Sequence, residues 1–220
     1  MLFRSHEAIF GGSVHRVIVN IGGIANLTDL PPNGGVRGFD TGPGNVLLDL
    51  WHARHRGEAY DRDGAWARTG NVDGGLLGAL LADPYFALAP QKSTGRDLFN
   101  AHWLEARLAI RAVAPANVQA TLVRLTATTI ANAVTTECPD AVEVLVCGGG
   151  ARNAALMEDL SGLLAPRTLA PTSVHGVPVD QVEALAFAWL ARETIACRPG
   201  NLPAVTGARG PRVLGAVYPR

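Results

Sequence analysis

The chain has 220 residues, of which 48% are hydrophobic and 17% charged, with 19 basic and 19 acidic residues. This length is enough to bury a core, and the balanced charge argues against binding nucleic acid or a membrane surface by bulk electrostatics. No apolar run reaches the roughly 18 residues of a membrane-spanning helix. The three cysteines, Cys138, Cys147 and Cys197, are far apart and fit a reducing compartment, so we expect a cytoplasmic protein.

The first quarter of the chain alternates short β-branched runs with glycine- and proline-rich turns. Such a pattern is typical of an antiparallel meander, and it predicts strands over Arg16–Asn20, Ile24–Leu30 and Val36–Phe39. The third strand is expected to break at Asp40. The helical spacing of the apolar residues that follow predicts a helix over Asn45–His55.

The rest of the chain is predicted to be mainly helical. Helices are predicted over Leu76–Leu81, Asp97–Val113, Asn117–Thr136, Asn153–Leu164 and Asp180–Ala196. Further strands are predicted over Val142–Val146, Arg167–Ala170 and Arg212–Val217, and a polar, partly helical loop over Gly57–Gly75. This order of elements predicts one lobe of a three-layer α/β fold, in which a mixed sheet carries helices on both faces.

Three glycine-rich loops each follow a predicted strand. The loops Asn20–Asn26, Asp40–Asn45 and Cys147–Asn153 contain Gly22, Gly23, Gly42, Gly44, Gly148, Gly149 and Gly150. Glycine allows a backbone to approach a ligand closely, and N–H groups near a helix start can bind phosphate. Each loop alone is more simply a tight turn, but three together favour a cleft for a nucleotide or a sugar phosphate. Lys92-Ser93 lacks the upstream glycines of a P-loop, which excludes a Walker-type NTPase.

Two acidic residues are candidates for chemistry. A carboxylate at Asp40, at a predicted strand end, can take a proton or hold a magnesium-bound water, or it can simply cap the adjacent turn. Glu183 lies in the first turn of an apolar helix. It faces either a polar cleft or solvent at the helix edge, because glutamate is rarely buried without a partner.

Other polar clusters carry weaker signals. His52 and His55 lie three residues apart near Asp49, and with no further ligand in register we interpret them as a solvated helix face and assign no metal ligand. The sequence has no G-x-S-x-G elbow and no plausible Cys–His pair, which argues against nucleophilic hydrolysis. The loop Tyr60–Trp66 could bind a substrate or a second subunit.

Eight ordered segments together resemble the anhydro-N-acetylmuramic acid kinase family, from about residue 15 onwards. They are V-N-I-G-G-I-A-N-L-T (Val19–Thr28), G-F-D-T-G-P-G-N-V-L-L-D (Gly38–Asp49), Y-D-R-D-G (Tyr60–Gly64), D-P-Y-F (Asp83–Phe86), K-S-T-G-R-D-L-F-N (Lys92–Asn100), V-C-G-G-G-A-R-N (Val146–Asn153), V-E-A-L-A-F-A-W-L-A (Val182–Ala191) and N-L-P-A-V-T-G-A (Asn201–Ala208). The family consists of bacterial peptidoglycan-recycling enzymes of the actin, hexokinase and Hsp70 superfamily. The resemblance therefore implies a ribonuclease H-like lobe.

The resemblance also implies a reaction and roles for particular residues. Water opens the 1,6-anhydro bridge of the sugar, and the freed O6 takes the γ-phosphoryl group of ATP, with Mg²⁺ as the accompanying metal ion. Asp40 would be the base that activates water, and Glu183 would lie near the bound sugar. Gly22 and Gly23 would belong to the second phosphate loop, Gly148–Gly150 to the loop at the adenosine, and Gly42 and Gly44 would also contact nucleotide or phosphate. The family resemblance further implies a homodimer.

The sequence departs from the family pattern at its beginning. Family members start with a lobe whose G-T-S-x-D-G-x-D loop grips the ATP phosphates, and no such loop occurs here. We therefore expect residues 1–14 to be a remnant of the first lobe or a linker, and residues 15–220 to be the second lobe. The alternatives are another sugar kinase of the superfamily, or a noncatalytic nucleotide-binding or dimerising module.

Overall fold

A five-stranded mixed sheet lies at the centre of the fold in the computed structural model, which describes residues 2–109 and 111–218. Its strands, in the spatial order β3-β2-β1-β4-β5, are β1 (Arg16–Ile21), β2 (Ile24–Leu30), β3 (Arg37–Pro43), β4 (Glu143–Cys147) and β5 (Thr168–Pro171). Strands β1, β2 and β3 pair antiparallel, whereas β4 pairs parallel with β1 and β5 parallel with β4. The predicted meander and mixed sheet are therefore confirmed.

Strand β3 continues beyond the break that the sequence predicts at Asp40. Pro43 still pairs with Ile24, so the glycine- and proline-containing segment stays in the sheet. Proline is tolerated because β3 is an edge strand, where an N–H group facing solvent needs no partner. A register shift against β2 leaves Thr41 as the extra residue of a bulge. Asp40 is an internal strand residue, and the prediction of a strand end at this position is wrong.

Helices cover both faces of the sheet. They are α1 (Leu2–Phe10), α2 (Val46–Arg56), α3 (Gly74–Leu81), α4 (Ala101–Leu108), α5 (Pro115–Glu137), α6 (Ala154–Leu164), α7 (Val182–Ile195) and α8 (Pro203–Thr206). Short 3-10 turns occur at Arg62–Gly64, Ala67–Thr69, Pro84–Ala87, Gly149–Arg152 and Thr172–His175. Apart from α4, the predicted helices are confirmed to within a few residues at each end.

Two further predicted elements differ from the structure. The helix predicted over 97–113 is reduced to α4, because the Asn100 side chain caps its start by accepting a hydrogen bond from the Trp103 N–H at 3.0 Å. Ile110, inside the predicted range, lies outside the described residues. The strand predicted over 212–217 is wrong, since those residues form no strand. Instead of pairing as a strand, this segment makes two isolated hydrogen bonds. The Gly200 N–H donates to Arg212 O at 3.0 Å, and the Arg212 N–H donates to Asn201 Oδ1 at 2.6 Å.

The sheet separates a large hydrophobic core from a small one. Alternate residues of a strand point to opposite faces, so Val19 and Ile21 of β1 join the large cluster on the side of α5. Ile18 joins the smaller cluster, together with Phe10 of α1 and Val182 of α7. In the part of the chain that the structure describes, no helix is long and apolar enough to cross a membrane.

Helix α1 packs on the small-core face of the sheet. Phe3 fills the space beside Gly38, where a Cβ would stand only 2.2 Å from its ring. His6 Nδ1 lies 2.8 Å from the Thr28 hydroxyl of β2, and burial lowers the pKa of His6 to about 4, so this imidazole is neutral near pH 7. The assignment of residues 1–14 to a preceding lobe stays a prediction.

Candidate active site

The three glycine loops meet at one end of the sheet, around Asn45. The turn between β1 and β2 supplies its carbonyl groups to the start of α2, because Gly22 O accepts from the Asn45 N–H at 2.8 Å and Gly23 O accepts from the Gly44 N–H at 2.9 Å. The Asn45 amide Nδ2 donates to Ile21 O at 3.3 Å. The same Nδ2 atom lies 3.6 Å from the position that a Cβ on Gly149 would occupy. Asn45 thus contacts or borders all three loops.

Several of these glycines are required for contacts between the loops rather than with a ligand. A Cβ on Gly44 would stand 2.3 Å from Gly22 O, and one on Gly150 would stand 2.3 Å from Ile21 Cγ2. Gly148 combines a φ of +79° with a Cβ position 2.5 Å from Asn20 Oδ1. No side chain fits at these three positions without moving the neighbouring backbone or strand. The loops therefore pack against one another closely.

Other glycines of the loops leave open space. A Cβ on Gly149 would meet only Asn45, and one on Gly22 only Ile24 O at 3.7 Å. In the loop Gly148–Gly150, a positive φ occurs at Gly148 and not at Gly149 or Gly150. Gly42, with a φ of +149°, borders Phe86 rather than the loops. Gly22 and Gly149 are thus free to border a ligand.

A cleft of about 340 Å³ opens beside these loops. It is lined by Asn45 and Asp49 of the α2 region, by the segment Tyr60–Asp63, and by Gly149 and Arg152. Its volume lies in the range of small-molecule pockets. The lining combines backbone surface, amide and carboxylate groups and both signs of charge, which suits a polar ligand with a planar part.

The part of the cleft lining formed by Tyr60–Asp63 is fixed by a buried carboxylate. Asp61 accepts hydrogen bonds from the Trp66 and Ala67 N–H groups, both at 2.9 Å, so this side chain organises its own loop. Gly64 packs against the start of α6, where a Cβ would stand 2.5 Å from Asn153 Oδ1. Substrate binding and contact with a second subunit were the two uses considered for the loop Tyr60–Trp66. The structure places the first half of this loop, Tyr60–Asp63, in the lining of the cleft.

Asp40 lies on the small-core face of the sheet, in a row of neighbours that crosses four strands. Asp40 pairs with Asn26, Asn26 with Asn20, and Asn20 with Cys147, so all four side chains share one face. The Asn26 Oδ1 atom is buried and has no hydrogen-bond partner among the described residues. A buried acceptor without a donor is rare in native proteins, and this one lies directly across from Asp40 in the strand pair.

The Asp40 carboxylate is held from one side only. Its Oδ2 atom accepts hydrogen bonds from the Ser93 hydroxyl at 3.0 Å and the Thr94 N–H at 2.9 Å. The Tyr85 hydroxyl donates to the Asp40 carbonyl at 2.6 Å and so fixes the backbone. Among the described residues Oδ1 has no partner. One carboxylate oxygen is therefore positioned and the other is available to accept a proton.

Glu183 lies in the first turn of α7 and is exposed to solvent. Burial and the nearby Glu183 carboxylate raise the pKa of the Cys147 thiol to about 12, so Glu183 lies close to the β4 end of the same polar row. The Gly148 N–H donates to Val179 O at 3.0 Å, which ties the glycine loop to the segment before α7. An exposed Glu183 is compatible with both positions considered for it, a polar cleft and the solvated edge of the first turn.

The histidines of α2 do not form the solvated face that the sequence suggests. His52 is buried against Trp66, with ring centroids 5.4 Å apart, and neither ring nitrogen has a hydrogen-bond partner among the described residues. His55 is exposed, as expected. Burial raises the pKa of the neighbouring Asp49 to about 6, and His52 and Arg96 partly oppose that shift. Across residues 2–109 and 111–218 there is no group of three His, Cys, Asp or Glu side chains suited to a metal ion.

The family model for anhydro-N-acetylmuramic acid kinase matches residues 2–220. This chain belongs to the anhydro-N-acetylmuramic acid kinase family. A curated relative of that name from Cupriavidus pinatubonensis is 57% identical over 220 residues, which are 98% of this chain and 59% of the relative. Another, from Nitrosospira multiformis, is 55% identical over 215 residues, which are 97% of this chain and 58% of the relative. The chain thus spans about three fifths of the length of these relatives.

A solved structure outside the anhydro-N-acetylmuramic acid kinase family shares the fold. It is the activator of the 2-hydroxyisocaproyl-CoA dehydratase from Clostridium difficile with bound ADPNP, with a TM-score of 0.50 and 14% identity, covering 87% of this chain and 67% of that one. Identity at this level shows likeness of the fold alone. With the mixed sheet, it confirms the predicted actin-, hexokinase- and Hsp70-like fold class.

Sequence reasoning missed several site residues of this family member. Asn45 and Asp49 line the cleft together with Arg152, and Ser93 and Thr94 hold Asp40. The sequence signal for Asn45 was its place at the end of a glycine loop, directly before a helix. Ser93 and Thr94 belong to the family segment Lys92–Asn100, but nothing in that segment pointed to Asp40, because 53 residues separate Ser93 from it.

Proposed function

We propose that this chain is the second, nucleotide-binding lobe of an ATP-dependent kinase of peptidoglycan recycling. In the reaction, water adds to the anomeric carbon of 1,6-anhydro-N-acetylmuramic acid and the bond from that carbon to O6 breaks. O6 then accepts the γ-phosphoryl group of ATP, giving N-acetylmuramic acid 6-phosphate and ADP. Family membership supports the substrate class. The observation that carries the proposal is the cleft beside Asn45, where the three glycine loops meet.

The nucleotide is proposed to lie along the glycine loops. The adenosine occupies the cleft between Gly149 and the segment Tyr60–Asp63, where the glycine leaves room for a planar base. Its phosphates extend past Asn45 towards Gly22 and Gly23, which carry no side chain to block them. Gly42, Gly44, Gly148 and Gly150 support this arrangement indirectly, because their contacts are with other parts of the chain. The dehydratase activator, which shares the fold, was solved with bound ADPNP.

Asp40 is proposed as the general base. A water molecule at the free Oδ1 would give its proton to the carboxylate as its oxygen attacks the anomeric carbon. The hydrogen bonds from Ser93 and Thr94 to Oδ2 keep the carboxylate in one orientation, which supports this role because proton transfer depends on position.

Glu183 is proposed to lie near the sugar, which its proximity to the polar row supports. Mg²⁺ is expected to accompany ATP, since it bridges phosphate oxygens in phosphoryl transfer. The described residues offer no metal-binding cluster, so we assign no ligand and no step to it. The expected cytoplasmic location and homodimer stay predictions.

Calorimetric titration of the 220-residue chain with ADP tests the nucleotide site. The parent is expected to bind ADP, and Gly149→Val to bind it at least about tenfold more weakly, because its side chain would project into the cleft. Adenosine binding should weaken to the same degree. Gly162→Val in α6 is the matched control, since a Cβ there meets no atom within 4 Å, and it should bind ADP like the parent. Equal ADP affinity in Gly149→Val and the parent would contradict the proposed cleft.

A further inference from the structure

The segment Lys92–Arg96 connects the proposed base to the proposed phosphate loop. At its start, Lys92 O accepts a hydrogen bond from the Asp40 N–H at 3.1 Å, followed by the contacts of Ser93 and Thr94 with the Asp40 carboxylate. At its end, the Phe99 N–H donates to Gly95 O at 3.1 Å, and the Phe99 ring is completely buried. Arg96 is therefore held between two anchored points, and its backbone position is fixed.

The Arg96 guanidinium lies against the turn between β1 and β2. A Cβ built on Gly23 would stand 3.6 Å from Arg96 Nη2 and 3.8 Å from its Nε. Arg96 is also close enough to Asp49, which lines the cleft, to oppose part of the rise in pKa that burial causes in that carboxyl. The side chain thus lies between the cleft and the proposed phosphate loop.

The guanidinium has no bonded partner in this position. Among the described residues it donates no hydrogen bond and forms no ion pair, and the residue is exposed. Other arginines find carboxylates at hydrogen-bond distance, such as Arg107 with Asp83 at 2.6 Å and Arg124 with Asp159 at 2.9 Å. The five donors of Arg96 therefore remain available beside a turn that has no side chains to shield them.

We infer that Arg96 binds the terminal phosphate of a nucleoside diphosphate lying on the Gly22–Gly23 turn. The inference rests on the proposed nucleotide site and adds a phosphate-contacting residue to it. Guanidinium and phosphate match in charge and in the geometry of paired N–H donors and oxygens. Placed beside the turn, the same group would neutralise charge on the phosphoryl group during its transfer.

Titration of the 220-residue chain with ADP and with adenosine separates this role from a structural one. Arg96→Gln is expected to bind ADP about 10- to 100-fold more weakly than the parent, as for loss of a charge-assisted hydrogen bond. Adenosine, which has no phosphate, should bind the variant and the parent equally. Arg96→Lys should recover part of the ADP affinity, since it keeps the charge but not the paired donors. Arg209→Gln, which removes an exposed arginine elsewhere, should bind both ligands like the parent.

Three results would overturn the inference. Unchanged ADP affinity in Arg96→Gln would show that the guanidinium does not contact phosphate, while the parent's binding would leave the nucleotide site standing. Equal weakening for ADP and adenosine would assign Arg96 a structural role. Absence of ADP binding by the parent itself would instead reject the proposed site, and the inference with it.

Discussion

Gly148 allows a sensitive test of how closely the loops pack, because it combines an unfavourable backbone angle with a crowded environment. A left-handed φ costs a non-glycine residue about 1–3 kcal/mol, and a Cβ at this position would also press on Asn20 Oδ1, 2.5 Å away. Gly176 has the same φ of +79° but no atom within 4 Å of its Cβ position. We expect Gly148→Ala to lower the free energy of unfolding by about 2–4 kcal/mol and Gly176→Ala by about 1 kcal/mol.

Urea denaturation of both alanine variants measures the difference. The excess loss in Gly148→Ala combines the contact between the third glycine loop and β1 with a less favourable backbone region, since ψ is 178° at Gly148 and 4° at Gly176. Equal losses would mean that the loop can move away from Asn20, and the close packing inferred around Asn45 would be incorrect.

Asp49 makes the stability of the fold depend on pH. Its pKa of about 6 lies above the ordinary 3.8, so the folded state binds this proton more tightly than the unfolded state does. The stabilisation is complete below about pH 4 and is lost as the pH rises through about 6. Because the group is half exposed and screened by water, we expect an effect of about 1 kcal/mol, well below that of a fully buried carboxyl.

Thermal unfolding of Asp49→Asn at pH 4 and pH 7 measures this effect. The amide stays neutral, so the variant should gain about 2–4 °C in Tm relative to the parent between the two pH values. The exposed Asp140→Asn controls for the loss of one charge. A constant difference between Asp49→Asn and the parent across this range would show that Asp49 ionises in the folded state as it does in the unfolded chain.

Helix α7 shows how an element's composition can conceal which side is buried. It is apolar on nearly all sides, yet Val182 is 2% exposed while Phe187 is 59% exposed. We expect Phe187→Glu to increase solubility and to leave Tm within about 2 °C, since its side chain loses little burial on substitution. Val182→Glu, on the same helix, places a charge in the small core and should lower Tm by about 6–12 °C.

Light scattering against protein concentration, with thermal unfolding, distinguishes the two faces of α7. A large fall in Tm for Phe187→Glu would mean that this face is covered in solution. In α7 and in β3 alike, the local sequence pattern indicated the type of secondary structure. Contacts with other elements decided which residues of α7 are exposed and where β3 ends.

The 220-residue chain as a whole is expected to bind nucleotide without turning over the sugar. It spans about three fifths of the length of its relatives, and phosphoryl transfer requires a closed site that excludes water. Incubation with ATP, Mg²⁺ and 1,6-anhydro-N-acetylmuramic acid, followed by detection of the 6-phosphate, should give no product. A chimera that adds the unmatched part of the Cupriavidus relative should give product, and that intact relative is the positive control.

The chimera also allows the base to be tested. Asp40→Asn in the chimera should reduce kcat by about 10²–10⁴-fold and leave ADP affinity unchanged. A kcat within a few-fold of the parent chimera would reject the role of Asp40. Robust product from the 220-residue chain alone would show that this lobe completes the active site by itself, and product from another hexose would favour a different sugar kinase.

Local sequence determined the order of the secondary structure elements, the three glycine loops and the family of this protein. Those features are encoded within windows of about ten residues, through apolar periodicity, turn residues and ordered motifs. Only the tertiary structure decided that β3 passes through Asp40, that Ser93 and Thr94 hold its carboxylate, and that His52 is buried. Each of these facts depends on pairing or packing between residues distant in sequence, and a strand edge or a buried face exists only once the neighbouring element is in place.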